Sequence, residues 1–296
     1  MKLAAFDAGR GRELGVVTDA GLVSITRAAP GLVAGMTDLI ARWPAVGAAV
    51  AELVAGRAPD AAVADVRLLA PVARPGKIMA IGLNYADHIV ESGIETPAFQ
   101  TWFSKAVTAV NGPGDPIRIP KVSPFLDYEA ELVAIIGSGG KHIARADAPS
   151  AIFGFCVGND ATVRDWQHRT SQWVLGKSFD SHAPFGPWIT TADELGDPHA
   201  LGIRCLVNGE TRQDSNTSHL VFDVWAQVEH LSQAMTLEPG DVIYTGTPGG
   251  VGAAMEPRRF LKDGDIVRVE IDRLGAIDAF CRLEPGATPS VSRASA

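Results

Sequence analysis

Residues 127–136 have the sequence DYEAELVAII, and this stretch decides the fold class. Side chains of a β-strand alternate between two faces, so Glu129 and Glu131 point the same way. From residue 132 to residue 136 every side chain is apolar, which makes both faces of the strand apolar. Such a strand is buried on both sides of its sheet. We therefore predict a sheet-based fold in which two glutamates stand where a buried strand begins.

Further strands are predicted on both sides of this stretch, because short apolar segments recur between glycines, prolines and charged residues. The segments are KLAAF, ELGVVT, GLVSIT, KIMAIG, PIRIP, GIRCLVNG, DVIYTG and DIVRVEI. Helical spacing of apolar residues is clearest at 221–235. A second, alanine-rich helix at 33–55 is expected to break at Pro44. The chain is thus predicted to be a β-rich α+β protein.

The domain organisation is predicted from a change of composition near residue 72. Pro71 and Pro75 flank this change and are typical of a junction between domains. We predict a small N-terminal β-rich domain at 1–72 and a larger domain at 73–285. The composition of 286–296 is that of a tail without a packed core.

Composition excludes several classes of protein. The net charge is −8 and there is no basic run, so nucleic acid and anionic membrane surfaces are not expected partners. The three cysteines are dispersed, which predicts no disulfide framework and no thiolate metal site. No uncharged apolar run approaches the ~18 residues that a membrane-spanning helix needs. We expect a cytoplasmic protein.

Four common catalytic or nucleotide-binding motifs are absent from the sequence. The GSGGKH segment at 137–142 lacks the P-loop spacing, and the glycines of GTPGGVG at 246–252 do not match a dinucleotide fingerprint. No GxSxG or HExxH motif occurs. Nucleotide, hydride-transfer and serine-hydrolase functions therefore have no support.

Three carboxylates form a candidate metal site. Glu129 and Glu131 lie ~7 Å apart along the predicted strand and repel each other in an apolar setting unless a cation lies between them. Asp160 follows the apolar strand FGFCVGN, and its spacing to Arg164 and Gln167 favours one helical face. Carboxylate oxygens favour Mg²⁺, Mn²⁺ or Ca²⁺ over Zn²⁺. The alternatives are two surface glutamates and an Asp160 that merely caps a helix.

Two more groups are candidates for catalysis. His88 and Glu91 stand three residues apart and can touch on a helix, as in a base oriented by a carboxylate. The alternative is a surface hydrogen bond. Lys177 is the only cation in the run WVLGKSF, which suits stabilisation of an anionic substrate or enolate. The alternative is a surface lysine that lays its alkyl chain on apolar neighbours.

Taken together and in this order, six segments of the chain resemble the fumarylacetoacetate hydrolase family. They are GLNYADHIVES, DYEAELVAIIG, GNDATVRDWQ, LGKSFDSHAPFGPW, LVNGETRQDSNTS and TLEPGDVIYTGTPGGVG. They span about 77–284, most of the chain. The resemblance implies a mixed β-sandwich roll, one divalent cation and assembly as a homodimer. Ile81 replaces a fourth acidic ligand of the family's namesake, which places the chain in the three-carboxylate bacterial subgroup.

The resemblance also implies roles for particular residues. The metal ligands would be Glu129, Glu131 and Asp160, the catalytic residues His88, Glu91 and Lys177, and the substrate contacts Arg164, Gln167 and Thr247. The cofactor implied is Mg²⁺, with Mn²⁺ or Ca²⁺ as alternatives, and the partner is a small keto-acid substrate.

The implied reaction is hydrolysis of a C–C bond in a 2,4-diketo acid such as an acylpyruvate or fumarylpyruvate. His88, oriented by Glu91, would activate water, and the cation and Lys177 would stabilise the enolate that leaves. A decarboxylase, isomerase or tautomerase of a related 2-keto or 2-hydroxy-diene dicarboxylate, as in aromatic catabolism or with an oxaloacetate-like substrate, is the alternative. A non-catalytic small-acid binder is a weaker one, because the whole set of acids, His88, Glu91 and Lys177 is present together.

Overall fold

The fold consists of two main β-sheets with helices around them, and the computed structural model describes residues 1–93 and 95–286. In chain order the strands are β1 (Lys2–Asp7), β2 (Arg12–Thr18), β3 (Gly21–Ser24), β4 (Arg67–Leu69), β5 (Ile78–Gly82), β6 (Thr101–Lys105), β7 (Val110–Asn111), β8 (Ile117–Ile119), β9 (Leu126–Asp127), β10 (Ala130–Ile136), β11 (Ile152–Asn159), β12 (Thr162–Val163), β13 (Ala183–Thr191), β14 (Gly202–Val207), β15 (Glu210–Asn216), β16 (Val242–Tyr244), β17 (Ile266–Ile271) and β18 (Gly275–Leu283). The α-helices are α1 (Ile25–Ala28), α2 (Met36–Val54), α3 (Ala86–Ser92), α4 (Ala148–Ala151), α5 (Arg164–Gln167), α6 (Val174–Lys177), α7 (Ala192–Leu195) and α8 (Val224–Ala234).

The larger sheet has eleven strands, nine of them in the order β3-β2-β1-β13-β11-β10-β16-β5-β6. β4 and β7 join it beside β1 and β13. The second sheet has the order β15-β14-β17-β18-β8. A short pair, β9 with β12, lies apart from both. This strand-rich α+β architecture confirms the predicted fold class.

β10 lies at the centre of the larger sheet and is buried at all its positions, as its sequence predicts. Leu132 and its same-face neighbours belong to the core cluster that also contains Ile203 of β14 and Val269 of β17. Val133 and Ile135 belong to the opposite cluster, which the helix α2 covers. Each fully buried aliphatic side chain stabilises the fold by about 1.5–3 kcal/mol. Since β10 buries side chains in both clusters, it contributes to the core on both sides of the sheet.

The N-terminal helix differs from its prediction, because α2 continues through Pro44 instead of breaking there. A proline inside a helix costs about 3 kcal/mol, since one backbone hydrogen bond is lost. The buried side chains of α2 are Met36, Leu39, Ile40, Val46 and Val50. They lie on both sides of the proline, and all of them except Val46 belong to the core cluster that includes strands of the sheet, so their burial outweighs that cost.

The first strands belong to the same sheet as the centre of the molecule. β1 pairs with β13 through Lys2↔Thr190 and Leu3↔Ile189, and Leu3 shares a buried cluster with Val133. The division at 72/73 stays a prediction, and the pairing shows that the two segments share a continuous core. Of the predicted tail, residues 287–296 lie outside the described residues.

Two global predictions concern cysteines and membrane segments. Cys156, Cys205 and Cys281 are buried and free. Within residues 1–93 and 95–286, no helix is long and apolar enough to cross a membrane.

Candidate functional site

The three carboxylates predicted to bind metal lie together where β10 begins and β11 ends. Glu129 immediately precedes β10, Glu131 is its second residue, and Asp160 follows β11. The two strands are antiparallel with Ala130 opposite Asn159, so the three acids become neighbours. One oxygen from each lies within 4.8 Å of the others. Glu129 is 5% exposed and Glu131 1%, so the surface-glutamate alternative is wrong.

The predicted helical face of Asp160, Arg164 and Gln167 is also wrong in part. Only 164–167 forms a helical turn, and its N-cap is Val163, so Asp160 is not the cap either. Residues 162–163 instead form β12 and pair with β9. This strand pairing separates Asp160 from the helix, although Asp160 and Arg164 both remain close to Glu129 through the contacts described below.

Cationic side chains surround the acid cluster. The Lys177 ammonium donates to Glu129 Oε2 at 2.7 Å and to Asp160 Oδ2 at 2.6 Å, and Lys177 is 2% exposed, which excludes the surface-lysine alternative. Burial alone would lower the pKa of Lys177, but the charges of Asp160 and Glu129 raise it. Lys177 is therefore a partner of the acids, and its contact with substrate stays a prediction.

Lys105 is a second buried cation that the sequence analysis missed. It ends β6, is 3% exposed, and its ammonium donates to Asp160 Oδ1. Burial lowers the pKa of Lys105 despite the nearby Asp160 charge. No motif marks this lysine, because its neighbours TWFS give no charge pattern and its partner lies 55 residues away.

Glu131 is the carboxylate of the cluster whose negative charge is least balanced by neighbouring cations. Its Oε2 accepts from the backbone N–H of Gly246 at 2.7 Å, and no ion pair to it is present in the described part of the chain. Burial and the charges of Asp160 and Glu129 raise the pKa of Glu131 well above its usual range. A hard divalent cation would supply the positive charge that lets Glu131 ionise, and the buried oxygens of Glu129, Glu131 and Asp160 would hold it.

Arg164 links the acid cluster to a further acid, Asp127. Its Nη1 donates to Glu129 Oε1 at 2.6 Å and to Gln167 Oε1 at 3.1 Å, while its Nε donates to Asp127 Oδ2 at 2.8 Å. Its Nη2 is buried and has no hydrogen-bond partner among the described residues. The nearby charges of Asp127 and Glu129 raise the pKa of Arg164 despite burial, so it remains cationic. Asp127, which opens the stretch that decides the fold, thus orients this arginine.

The candidate base stands on the short helix α3. His88 Nδ1 lies 3.1 Å from Glu91 Oε2, the contact that a helical segment makes possible. Asp87 anchors this helix, since its Oδ1 accepts from the N–H of His88 at 2.8 Å and its Oδ2 accepts from the Ser215 hydroxyl at 2.6 Å. Gly250 N–H donates to Glu91 Oε1 at 2.8 Å. The helix and the loop thus hold the imidazole and the carboxylate in one arrangement.

The glycine-rich loop at 246–252 supplies backbone donors to the acids of the site. Gly246 N–H donates to Glu131, Gly250 N–H to Glu91 and Gly252 N–H to Asp127 at 2.8 Å. A Cβ on Gly252 would come 2.3 Å from the Arg259 carbonyl oxygen, which no side chain permits. Three of its glycine N–H groups are thus used by carboxylates of the site instead of a dinucleotide phosphate.

One cavity of about 310 Å³ connects these groups. Of the predicted site residues, those that line it are His88, Glu129, Arg164, Gln167, Lys177 and Thr247. Glu131 and Asp160 do not line it but have oxygens within 4.8 Å of Glu129, and Glu91 is connected to it through His88. His168 and Trp173 also line the cavity. The assigned roles of these residues stay predictions, but the structure brings all of them to one place.

Gly176 lets α6 approach α5 closely and so places Lys177. A Cβ at this position would lie 2.3 Å from Gln167 N and 2.5 Å from Gln167 Cα. We expect Gly176→Ala to destabilise the protein by roughly 1–3 kcal/mol, as overpacking does, and to lower activity by displacing Lys177. Thermal unfolding and kcat measure the two effects. Gly114→Ala is the control, because only Asp278 O lies near its Cβ, at 3.8 Å. Wild-type stability and kcat in Gly176→Ala would contradict this role.

Comparison with known proteins gives the family. Residues 77–280 match the family described as "Fumarylacetoacetate (FAA) hydrolase C-terminal". The protein named "Oxaloacetate tautomerase fahd2, mitochondrial" from Xenopus laevis is 48% identical over 215 residues, which are 72% of this chain and 67% of the relative. The human "Oxaloacetate tautomerase FAHD2A, mitochondrial" is 40% identical over 283 residues, 94% of this chain and 90% of the relative.

A solved structure gives the same result for the fold. The maleylpyruvate hydrolase from Sphingobium sp. SYK-6, in complex with manganese(II) ion and pyruvate, is 35% identical and superposes with a TM-score of 0.80. The match covers 96% of this chain and 99% of that one. These similarities confirm the resemblance seen in the six segments and the prediction of an enzyme. The chain belongs to the fumarylacetoacetate hydrolase family and is an enzyme of that family.

Proposed function

We propose that the chain is a divalent-metal-dependent tautomerase of a 2-keto dicarboxylate, with oxaloacetate as the first candidate substrate. Two relatives at 48% and 40% identity carry the name oxaloacetate tautomerase. The observation that carries the proposal is that a single cavity joins the His88–Glu91 pair to the cations Arg164 and Lys177. A base and two cations around one cavity favour proton transfer on a bound anion. Proton transfer of this kind is tautomerase chemistry, the alternative to C–C bond hydrolysis.

The histidine is arranged to move one proton. An ionised Glu91 carboxylate has only acceptors, so the 3.1 Å contact requires the hydrogen on His88 Nδ1. His88 Nε2 then carries the lone pair and takes or returns a proton. Keto–enol interconversion requires that a proton leave the enol oxygen and another be added at the adjacent carbon, and no carbon–carbon bond breaks. His88 Nε2 can take the proton that leaves the enol oxygen and return it to the adjacent carbon, or do the reverse, so that one proton on Nε2 balances the interconversion.

Charge in the cavity suits an anionic substrate. Arg164 uses Nε and Nη1 for protein acids and keeps Nη2 free, and Lys177 presents a buried ammonium at the same wall. These groups bind and orient the carboxylates of a dicarboxylate and oppose charge on the enolate oxygen.

We propose Mg²⁺ or Mn²⁺ at Glu129, Glu131 and Asp160. A divalent cation there would polarise the keto group of the substrate and lower the energy of its enolate. The support is the buried oxygen donor set and the manganese(II) ion named for the maleylpyruvate hydrolase complex.

The test is a direct tautomerase assay. Enol oxaloacetate, added in an aprotic solvent, is followed by loss of its ultraviolet absorbance, with pyruvate measured in the same reaction by a lactate dehydrogenase coupling. We expect the Mg²⁺- or Mn²⁺-loaded protein to accelerate the loss of the enol well beyond the buffer rate without pyruvate formation. An enol lifetime equal to that in buffer would refute the proposal.

The second candidate is the hydrolase of acylpyruvates predicted from the sequence, which the similarity to maleylpyruvate hydrolase favours. Hydrolysis of maleylpyruvate or fumarylpyruvate in H₂¹⁸O would place the label in the new carboxylate and release pyruvate. A kcat/KM for this reaction above that for oxaloacetate tautomerisation would select the hydrolase.

Assembly and location stay predictions. We propose a homodimer in the cytoplasm, on the family resemblance and on the high frequency of two-fold oligomers. Light scattering at micromolar concentration would test the oligomeric state.

A further inference from the structure

Gln213 is a buried polar residue of the site for which no role has been assigned. It lies on β15, is 1% exposed, and stands opposite Cys205 of β14. Its side chain reaches both the metal-binding strand and the glycine-rich loop. Oε1 accepts from Ala130 N at 2.9 Å, and Nε2 donates to Thr247 Oγ1 and to Pro248 O, each at 2.8 Å.

The orientation of this amide is dictated by its neighbours. The backbone N–H of Ala130 can only donate, so it selects the amide oxygen. The carbonyl of Pro248 can only accept, so it selects the NH₂ group. The second hydrogen of that NH₂ therefore points at Thr247 Oγ1, and the threonine oxygen must act as an acceptor in this contact.

The hydroxyl hydrogen of Thr247 is consequently directed away from Gln213. Thr247 is 5% exposed and lines the cavity beside Arg164 and Lys177. Among residues 1–93 and 95–286, this hydroxyl donates to no acceptor. The hydrogen is thus available to an oxygen inside the cavity, and the binding partner that fits a hydroxyl donor in a cavity lined by two cations is a carboxylate.

We propose that Gln213 is a positioning residue that sets Thr247 as a hydrogen-bond donor to a carboxylate of the substrate. The inference rests on the proposed function only in taking a keto acid as the ligand. It deepens that function, because it identifies the Thr247 hydroxyl as a hydrogen-bond donor that selects an acceptor oxygen of the substrate. Gln213 belongs neither to the carboxylate cluster nor to the cavity lining.

The substitution that separates orientation from packing is Gln213→Glu. The introduced carboxylate keeps an acceptor for Ala130 N–H but has no hydrogen for Thr247, so the threonine hydroxyl turns and donates to that carboxylate. We expect KM for oxaloacetate, and Kd for pyruvate measured by calorimetry on the Mn²⁺-loaded protein, to rise about 10- to 100-fold, the usual loss for a hydrogen bond to a charged group. kcat should change much less, and the affinity for Mn²⁺ alone should stay as in the wild type.

Thr247 provides the control. Thr247→Ser keeps the donor and should bind pyruvate as the wild type does, whereas Thr247→Val should lose affinity as much as Gln213→Glu. The double variant Gln213→Glu/Thr247→Val should be no worse than Thr247→Val alone, because both changes remove the same hydrogen bond. Should Gln213→Glu fail to fold, Gln213→Met replaces it in the same comparison of single and double variants. The expected result is the same: the double variant binds pyruvate no more weakly than Thr247→Val alone.

Three outcomes would overturn the inference. They are wild-type pyruvate affinity in Thr247→Val, multiplication of the two losses in the double variant, and weaker Mn²⁺ binding in the Gln213 variant. The last would mean that Gln213 acts through Ala130 on the metal-binding strand. Because pyruvate affinity is measured without turnover, an absent tautomerase activity would refute the proposed function and leave this readout intact.

Discussion

Glu131→Gln should fold normally and lose activity by about 10³-fold or more, since several kcal/mol of charge stabilisation by the cation would be lost. Glu131 is the cluster's carboxylate without an ion-pair partner among the described residues, so its negative charge is the one most dependent on a bound cation. A neutral amide cannot supply that charge. The metal-free variant should be no less stable than the metal-free wild type, because the raised pKa of Glu131 favours its neutral form there and the amide replaces one neutral buried group by another.

The measurements are thermal unfolding with and without Mn²⁺, and kcat with added metal. In the wild type, Mn²⁺ at 100 times its Kd should stabilise the native state by about 2.7 kcal/mol, and Glu131→Gln should lose this increment. Glu52→Gln, on the exposed surface of α2, is the control and should keep both activity and the increment.

Metal removal tests the same site without mutation. Dialysis against a chelator should abolish turnover, and Mg²⁺ or Mn²⁺ should restore it. Full activity in protein shown by elemental analysis to contain no metal would contradict the metal site.

Glu91→Gln and His88→Ala should each lower kcat by roughly 10²–10⁴, the usual contribution of general acid–base catalysis. The amide introduced by Glu91→Gln keeps a hydrogen-bonding group beside Nδ1 but removes the charge that stabilises an imidazolium. The double variant should lose little more than either single variant, because the two residues act as a unit. Affinity for Mn²⁺ should not change, since neither residue belongs to the carboxylate cluster.

The prediction is tested by the steady-state kcat of the three variants and by calorimetry of Mn²⁺ binding. His142→Ala is the matched control, because His142 pairs with Gln233 outside the cavity. Losses that multiply in the double variant, or a His88→Ala protein that no longer binds metal, would show that His88 and Glu91 do not act as one catalytic pair.

Much of the fold could be predicted because strand patterns are local. The strand at 130–136 is apolar on both faces, and its burial on both sides follows from the period of two. The same period places Glu129 and Glu131 on one face. The helix at Ala86–Ser92 likewise brings His88 to Glu91, because residues three apart on a helix are neighbours.

Other features required the tertiary structure. Whether α2 breaks at Pro44 depends on the core against which the helix packs, which its own sequence does not contain. Asp160 leaves the predicted helical face because 162–163 pairs with the strand at 126–127, and strand pairing is a choice between distant segments.

The amino-acid sequence by itself determined the family, the two-sided central strand and the identity of the acids at its start. Only the tertiary structure decided which groups complete the site, namely Lys105, Asp127 and Gln213. These contact partners that lie 55, 37 and 34 residues away in the chain. A hydrogen bond between such residues depends on how strands and loops are brought together, and no local periodicity encodes it.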